Sequence, residues 1–445
     1  MTAILRPLLS AGVAALALSG CGLLKESVKT TPVLGDRVAV LTAETEIGID
    51  ATTAALPFSV PAPAVNADWG QSGGNAQKSM GHVALGDTLG LAWSRSIGEG
   101  SSESARLTAA PIVTGGKVFT IDTQAVVRSF EAASGAPGWS TAVTGTEGEV
   151  VDRAALYGGG LASGAGRLYA TNGLGHVTAL SPENGAIIWT AKPLGPLRGA
   201  PSFANGSVYV MTQDNQLAAL DAATGATQWT AAAAMEIAGV FGAASPAVGR
   251  GTVIAGYSSG ELSAYRYENG RGVWQDNLTR TRISTSVSSL SDIDADPVID
   301  GNQVIAIGQG GRMVALDILS GQRMWELSIA GMSTPWVAGD WVFVVTDQGQ
   351  ALSINRTSGR VRWINQMPRF GNEKKRKDPI FYEGPVLAGG RLIFLGSNGA
   401  MIEIDPDSGA FLNQRSIGDA VTLQPVVANQ TLYLITDSGQ LQAYR

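Results

Sequence analysis

A glycine followed four positions later by a tryptophan, repeated along the chain, narrows the possible folds more than any other feature. The pair occurs as Gly135/Trp139, Gly185/Trp189, Gly225/Trp229, Gly270/Trp274, Gly321/Trp325 and Gly359/Trp363. A seventh copy has Gly409 with Asn413 at the tryptophan position, and successive glycines stand 50, 40, 45, 51, 38 and 50 residues apart. A second register runs alongside: Pro111, Pro201, Pro246, Pro297, Pro335, Pro385 and Pro425 each lie eight residues ahead of an apolar residue (Phe119, Tyr209, Ile254, Ile305, Phe343, Ile393 and Tyr433). In the second copy Leu161 takes the proline position, ahead of Tyr169. A unit this short cannot bury its own faces, so copies must pack on one another.

Residues Ala200–Thr230 show what one unit is. Pro201 opens a first strand, Ser207–Thr212 alternates apolar and polar residues, and Asp214-Asn215 turns into Leu217–Asp221. Ala223-Thr224-Gly225 then turns into a last strand carrying Trp229; glycine suits a turn position of positive φ. Four short antiparallel strands per unit are the pattern of a β-propeller. The last copy stops after three strands, at the residue equivalent to Asp221, and the missing fourth lies at the other end, in Leu89–Ile97 with its Trp93. The expectation is an all-β, eight-bladed propeller of four-stranded antiparallel blades. Its ring is closed by an N-terminal strand that completes the last blade and removes an exposed edge. Trp93, Trp139, Trp189, Trp229, Trp274, Trp325 and Trp363 are then blade-packing residues.

The chain is acidic, with a formal net charge of −6 and no basic stripe, which argues against nucleic acid as its partner. Its first 20 residues hold one charge, Arg6, and an apolar run from Leu8 to Leu18, too short to span a bilayer and reading as a secretory signal. Leu18-Ser19-Gly20-Cys21 resembles the bacterial lipoprotein processing box, in which the cysteine is acylated and becomes the new N-terminus. Cys21 is the only cysteine, and Gly22 after it favours the outer membrane by the same resemblance. The expected organisation is a signal peptide over 1–20, a lipid-anchored tether over 21–67 with a Pro-rich stretch at Leu56–Val65, and the propeller over 68–445.

No catalytic constellation emerges. His82 and His176 have no ligand spacing around them and read as plain surface or turn residues. The abundant glycine belongs to turns and not to a phosphate loop. Asp292-x-Asp294-x-Asp296 lacks the glycine and glutamate of a calcium loop, Pro297 and Gln303 standing in their places, so neither metal nor cofactor is expected.

The A-x-D-x-x-T-G-x-x-x-W pattern, at Ala219–Trp229 and with Ser320 at Ala315–Trp325, resembles the docking repeat of quinoprotein dehydrogenases. That family places a vicinal disulfide over its quinone, and the one cysteine here belongs to the lipid box. A lipid-anchored propeller without catalytic residues resembles the BamB family, scaffold lipoproteins of the outer-membrane β-barrel assembly machinery. The match is best at Leu290–Pro297 (LSDIDADP) and runs through Met313–Trp325; Asn66–Leu85 looks like the α-proteobacterial branch.

The resemblance implies a non-catalytic scaffold without cofactor, lipid-anchored at the periplasmic face of a Gram-negative outer membrane. It also implies partners: the POTRA region of the barrel insertase, and nascent outer-membrane proteins. The family docks the insertase through two neighbouring connections. One is matched by Met235-Glu236-Ile237-Ala238-Gly239, with Ala238 where better-known members have arginine, and the other by Asp292 and Asp294. Long connections from a tryptophan strand to the next proline strand (Ser140–Gly158, Gln275–Ile293, Ile364–Glu383, and the shorter Ala231–Ala244) all emerge on one face, where an array binds. On that face Met235, Ile237, Asp292 and Asp294 are the expected partner-binding residues, exposed at loop tips, and Asn372–Asp378 is a basic run. Two other functions carry the same blades: a quinoprotein dehydrogenase, and a periplasmic ligand-binding or sensor propeller.

Overall fold

The computed structural model describes residues 47–146, 148, 151–234, 244–279 and 291–445. Eight four-stranded antiparallel sheets form in sequence order as blades 1 to 8: 112–142, 161–191, 202–232, 247–277, 298–327, 336–366, 382–416, and 426–444 with Leu91–Ser96. The eighth joins both ends of the chain as expected, Leu91–Ser96 pairing with Gln440–Tyr444 so that Trp93 faces Ala443 and Ser94 faces Gln442. Within blade 3 every residue of Ser207–Met211 is buried, whereas in the outer strand Thr227–Ala232 only Trp229 is. Middle strands lie between two neighbouring blades and are apolar on both faces; outer strands meet solvent.

Each blade is fixed to the next by its tryptophan. Opposite the indole in the same blade stands a small residue, Ala179 against Trp189, Ala219 against Trp229, Ala264 against Trp274, Ala315 against Trp325 and Ser353 against Trp363. The ladder shifts register directly after each of these pairs. Such a bulge bends the outer strand and adds local twist. The ring then lies over the glycine turn of the following blade. A Cβ on Gly225 would stand 2.7 Å from the Trp189 ring, and one on Gly359 2.7 Å from that of Trp325. The indole N–H donates to a backbone carbonyl of the same turn: Trp139 to Pro182 (3.0 Å), Trp229 to Tyr267 (2.8 Å), Trp325 to Arg356 (2.7 Å). All seven tryptophans make this bond.

The seam from blade 7 to blade 8 has no indole. Asn413 faces Glu403, a long side chain where the other blades carry a small one. Glu403 is buried between Arg391 (2.9 Å) and Arg415 (3.3 Å). Arg415 donates to the Leu89 carbonyl and Arg391 to that of Gly86 (2.7 Å), so a charge network holds the seam where the two ends of the chain meet.

The N-terminal residues are not the free tether expected over 21–67, at least from residue 47 onward. Ile49 bridges Val361, and Asp50 caps the single helical turn Ala51–Ala54, its carboxylate accepting from Thr53 N at 2.7 Å. Arg362 of blade 6 donates to the Leu56 carbonyl (2.8 Å), with its guanidinium over the rings of Phe58 and Trp341. Phe58 stacks on Trp341 and, with Val60, packs partly buried against the core while Leu56 and Val65 stay exposed, so these contacts make a strap and not a tether.

The next twenty residues travel once around the ring. In order, Asn66 bonds Val427 of blade 8, Trp69 bonds Val113 of blade 1, Gly70 Ser163 of blade 2, and Gln71 Phe203 of blade 3. Ala76 then bonds Val248 of blade 4, Gln77 Ile299 of blade 5, Gly81 the Trp336 indole of blade 6, and Val83 Leu387 of blade 7. Seven of these contacts fall on the residue two places after the register proline or its equivalent. That residue's N–H and C=O point away from the second strand, toward the axis. The circlet thus supplies partners for the inner edges of the sheets, which would otherwise be unpaired.

Trp229→Ala should lose roughly 3–5 kcal/mol of stability. Gly225→Ala should lose more than about 1 kcal/mol, from its φ of +77° together with the Trp189 ring. Gly206→Ala is the control, having the same backbone region (φ +75°) with open space around it. Urea melts of the three variants check this; equal losses for the two glycine variants would mean that the ring contact contributes nothing.

Candidate functional site: the mouth of the central channel

The segment Ser291–Pro297 enters blade 5 from the face that carries the long connections. Its alternation divides it cleanly: Ile293 and Ala295 are buried among the apolar residues of blades 4 to 6, and Asp292, Asp294 and Asp296 turn the other way. Both Asp292 (3.9 Å) and Asp294 (3.2 Å) face the guanidinium of Arg198, and Gln309 also donates to Asp294. Asp296 accepts from Ser245 N (2.6 Å) and the Ser72 hydroxyl (2.5 Å), with the Lys78 ammonium at 3.8 Å. Sharing one side is what the sequence pattern implied for Asp292 and Asp294. Their exposure is not: Asp292 is 0% exposed and the Asp294 side chain 9%. Asp294 lines the channel and Asp292 is buried behind it, neither at a loop tip, and Arg198, itself buried, faces both. Met235 and Ile237 lie outside the described residues, as does Cys21.

Lys78 comes from the circlet and is fully buried. It donates to the Ser72 carbonyl (2.9 Å) and the Ser202 hydroxyl (3.1 Å), and desolvation holds its pKa below the usual lysine range. Together with Trp69, Ser72 and Gly73 the circlet forms one side of a cavity of about 220 Å³ on the axis, lined also by Ser245, Asp294, Asp296, Thr334, Glu383 and Gln424.

Glu383 is the functional candidate that sequence reasoning missed. Burial raises its carboxyl pKa to about 8, with the nearby Asp294 charge pushing the same way and the Ser333 hydroxyl (3.2 Å) opposing. Asp294 is raised to about 6, by burial first and by Asp292, against the pull of Arg198. A signal did exist. Two places before the register proline or its equivalent the blades carry Ala109, Gly159, Gly199, Ala244, Ala295, Ser333, Glu383 and Leu423, so Glu383 is the one ionisable group in that column.

The histidines also depart from expectation. Both are buried. His82 Nδ1 meets the Pro61 carbonyl at 2.8 Å while its Nε2 accepts from Gly390 N at 2.8 Å, so the ring is the Nδ1–H tautomer and pins strap, circlet and blade 7 together. Among the described residues no three His, Cys, Asp or Glu side chains are placed to hold a metal ion. The basic run lies on a hairpin, Phe370–Asn372 with Lys377–Pro379, and Lys374, Lys375, Arg376 and Lys377 are exposed there.

Because Glu383 holds its proton more tightly folded than unfolded, its contribution to stability is complete below pH about 4.5 and is lost as pH rises toward 8. Wild-type melting temperature should therefore carry a falling component between pH 5 and 8 that Glu383→Gln lacks. Identical pH profiles for the two proteins would show that the carboxyl titrates normally.

Against known proteins, the family model described as outer membrane protein assembly factor BamB matches residues 24–159 and 126–365. Curated proteins of that description include one from Yersinia pestis, 26% identical over 354 residues (79% of this chain, 88% of that protein). One from Escherichia coli is 27% identical over 351 residues (78% of this chain, 86% of that protein). Among solved structures, BamB from Moraxella catarrhalis superposes with a TM-score of 0.66 at 18% identity, covering 80% of this chain and 100% of that one. A quinohemoprotein alcohol dehydrogenase from Comamonas testosteroni gives 0.65 at 14% identity, covering 86% and 81%. At these identities the structural likenesses speak for the propeller alone.

Proposed function

The chain belongs to the BamB family of outer membrane protein assembly factors, and from that premise we propose that it is a non-catalytic scaffold of outer-membrane β-barrel assembly. It holds the periplasmic POTRA region of the barrel insertase on the face of the long connections and assists insertion of nascent barrels. A lipid on Cys21 keeps it at the periplasmic side of the outer membrane.

The observation that carries the docking surface is the bond from Ser245 N to Asp296 (2.6 Å). It ties the end of the 231–244 connection directly to the segment of Asp292 and Asp294, so the two connections are neighbours on rigid footings. The near end is fixed as well: Ala234 N donates to Glu261 and its carbonyl accepts from Asn215. In this reading Met235 and Ile237 supply the apolar contact. Asp292 and Asp294 act from below, by holding Arg198 and the mouth of the channel in place. A quinone cofactor weighs poorly as an alternative. An anionic guest on the axis would meet the carboxylates of Asp294 and Asp296, and like charges at close range repel in a buried site.

Ile237→Glu should abolish capture of the insertase's purified periplasmic domains while the melting curve stays within about 0.5 kcal/mol of wild type. Capture retained by that folded variant would place the binding surface elsewhere. Reversing the charges of Lys374, Lys375, Arg376 and Lys377 should leave capture largely intact. Cys21→Ser should abolish lipid labelling and outer-membrane fractionation; normal fractionation of that variant would overturn the anchor.

A further inference from the structure

Among the described residues the axial cavity is lined by three carboxyl side chains, Asp294, Asp296 and Glu383, and by no lysine or arginine. Arg198 stands beside Asp294 and Lys78 beside Asp296. Glu383 has a hydroxyl partner, Ser333, and no cation among the described residues. The chain lowers the cost of this arrangement by keeping Glu383 protonated near neutrality and Asp294 partly so at mild acidity. A second, independent observation lies on the same wall. Ser245 is 1% exposed and lines the cavity, and its hydroxyl has no hydrogen-bond partner among the described residues. A buried hydroxyl left unpaired is costly, and a guest bearing a polar group would relieve it.

The rest of the lining fixes the chemistry of that guest. Trp69, Pro111, Leu161, Met332 and Leu423 give the cavity apolar walls, and the carboxyls stand to one side. A calcium or magnesium ion requires six or more oxygen ligands around it, and apolar walls cannot supply them. An organic cation, with an ammonium or guanidinium head on a short apolar body, suits both surfaces. The volume of about 220 Å³ admits a body of about that kind and excludes a folded peptide. With the circlet forming the floor, the acidic groups are set at the end from which the long connections rise.

We propose that the central channel is a binding site for a small organic cation, held between Glu383 and Asp294 with Ser245 completing its hydrogen bonds. The site goes beyond the assembly reading and does not depend on it. Its binding step has a definite proton balance. The guest arrives positively charged, Glu383 releases its proton to solvent, and the carboxylate so formed becomes the counter-ion. Around it Ser333 donates to Glu383, Arg198 and Gln309 hold Asp294 from the other side with Asp292 beyond, and Lys78 remains committed to Asp296.

The test is isothermal titration of the folded protein with n-pentylammonium and n-butylguanidinium, in two buffers of different protonation enthalpy. Saturable binding of one cation per chain is expected, with release of close to one proton at pH 7. Affinity should rise by up to roughly tenfold per pH unit toward pH 8, as linkage to a single group of raised pKa requires. Glu383→Gln should remove the proton release and weaken binding at pH 8 at least tenfold. Ser245→Ala should weaken binding while leaving proton release in place. Neutral 1-pentanol and calcium chloride are the controls. Absence of saturable heat, equal binding of pentanol, calcium competing for the site, or proton release unchanged in Glu383→Gln would each overturn the proposal.

Discussion

The ring depends on the placement of an indole over a glycine turn. One blade contributes the aromatic face and the N–H; the next contributes a turn without a side chain and a carbonyl aimed outward. Burial of a tryptophan supplies most of the attraction, and the hydrogen bond fixes its direction, so that adjacent sheets have one relative orientation and not a range. Since this contact recurs at seven seams, errors of angle do not accumulate around the circle. The remaining seam can then be different in kind. At Glu403, with Arg391 and Arg415, charge does what the indole does elsewhere, where the geometry must accommodate two chain ends.

The circlet answers a second need. An inner strand has one edge paired and one facing the axis, and eight such edges together are a large number of unsatisfied backbone groups. In a channel filled with water they would be solvated. Here residues 66–83 meet the same register position in seven blades, and the Trp336 indole serves the remaining blade. Filling the axis with chain has a further effect: it brings Lys78 into the core, where an ammonium is tolerated because Asp296, Ser202 and a carbonyl surround it.

How much of this could be read from the sequence follows from how each feature is encoded. Blade number, strand order and the closing strand were legible because they repeat. Seven Gly–Trp copies, one with asparagine, and eight register positions leave little freedom once Trp93 is placed at the other end. The circlet was not legible, because its twenty residues each contact a different blade and so have no period of their own. Asp292 and Asp294 were singled out by the family resemblance, but their burial was not legible, since the residue they face, Arg198, lies far off in sequence, in the connection between blades 2 and 3. Likewise His82 looked like a loop residue, because both of its partners, Pro61 and Gly390, are remote or recognisable only in three dimensions. Glu383 stands between these cases: it is invisible along the chain and plain when the blades are aligned column by column.

The circlet also sets the order in which the molecule can come into being. Residues near the start bond to Val427 and Asn429, and the strand at Leu91–Ser96 waits for Gln440–Tyr444, so the earliest part of the chain has no home until the last part has been delivered. Contacts of such long sequence separation are slow to form. Through that interval the closing strand, the circlet and seven open inner edges are all candidates for pairing with something else. A chain that leaves its thread ends to be tied last is therefore most vulnerable just before completion.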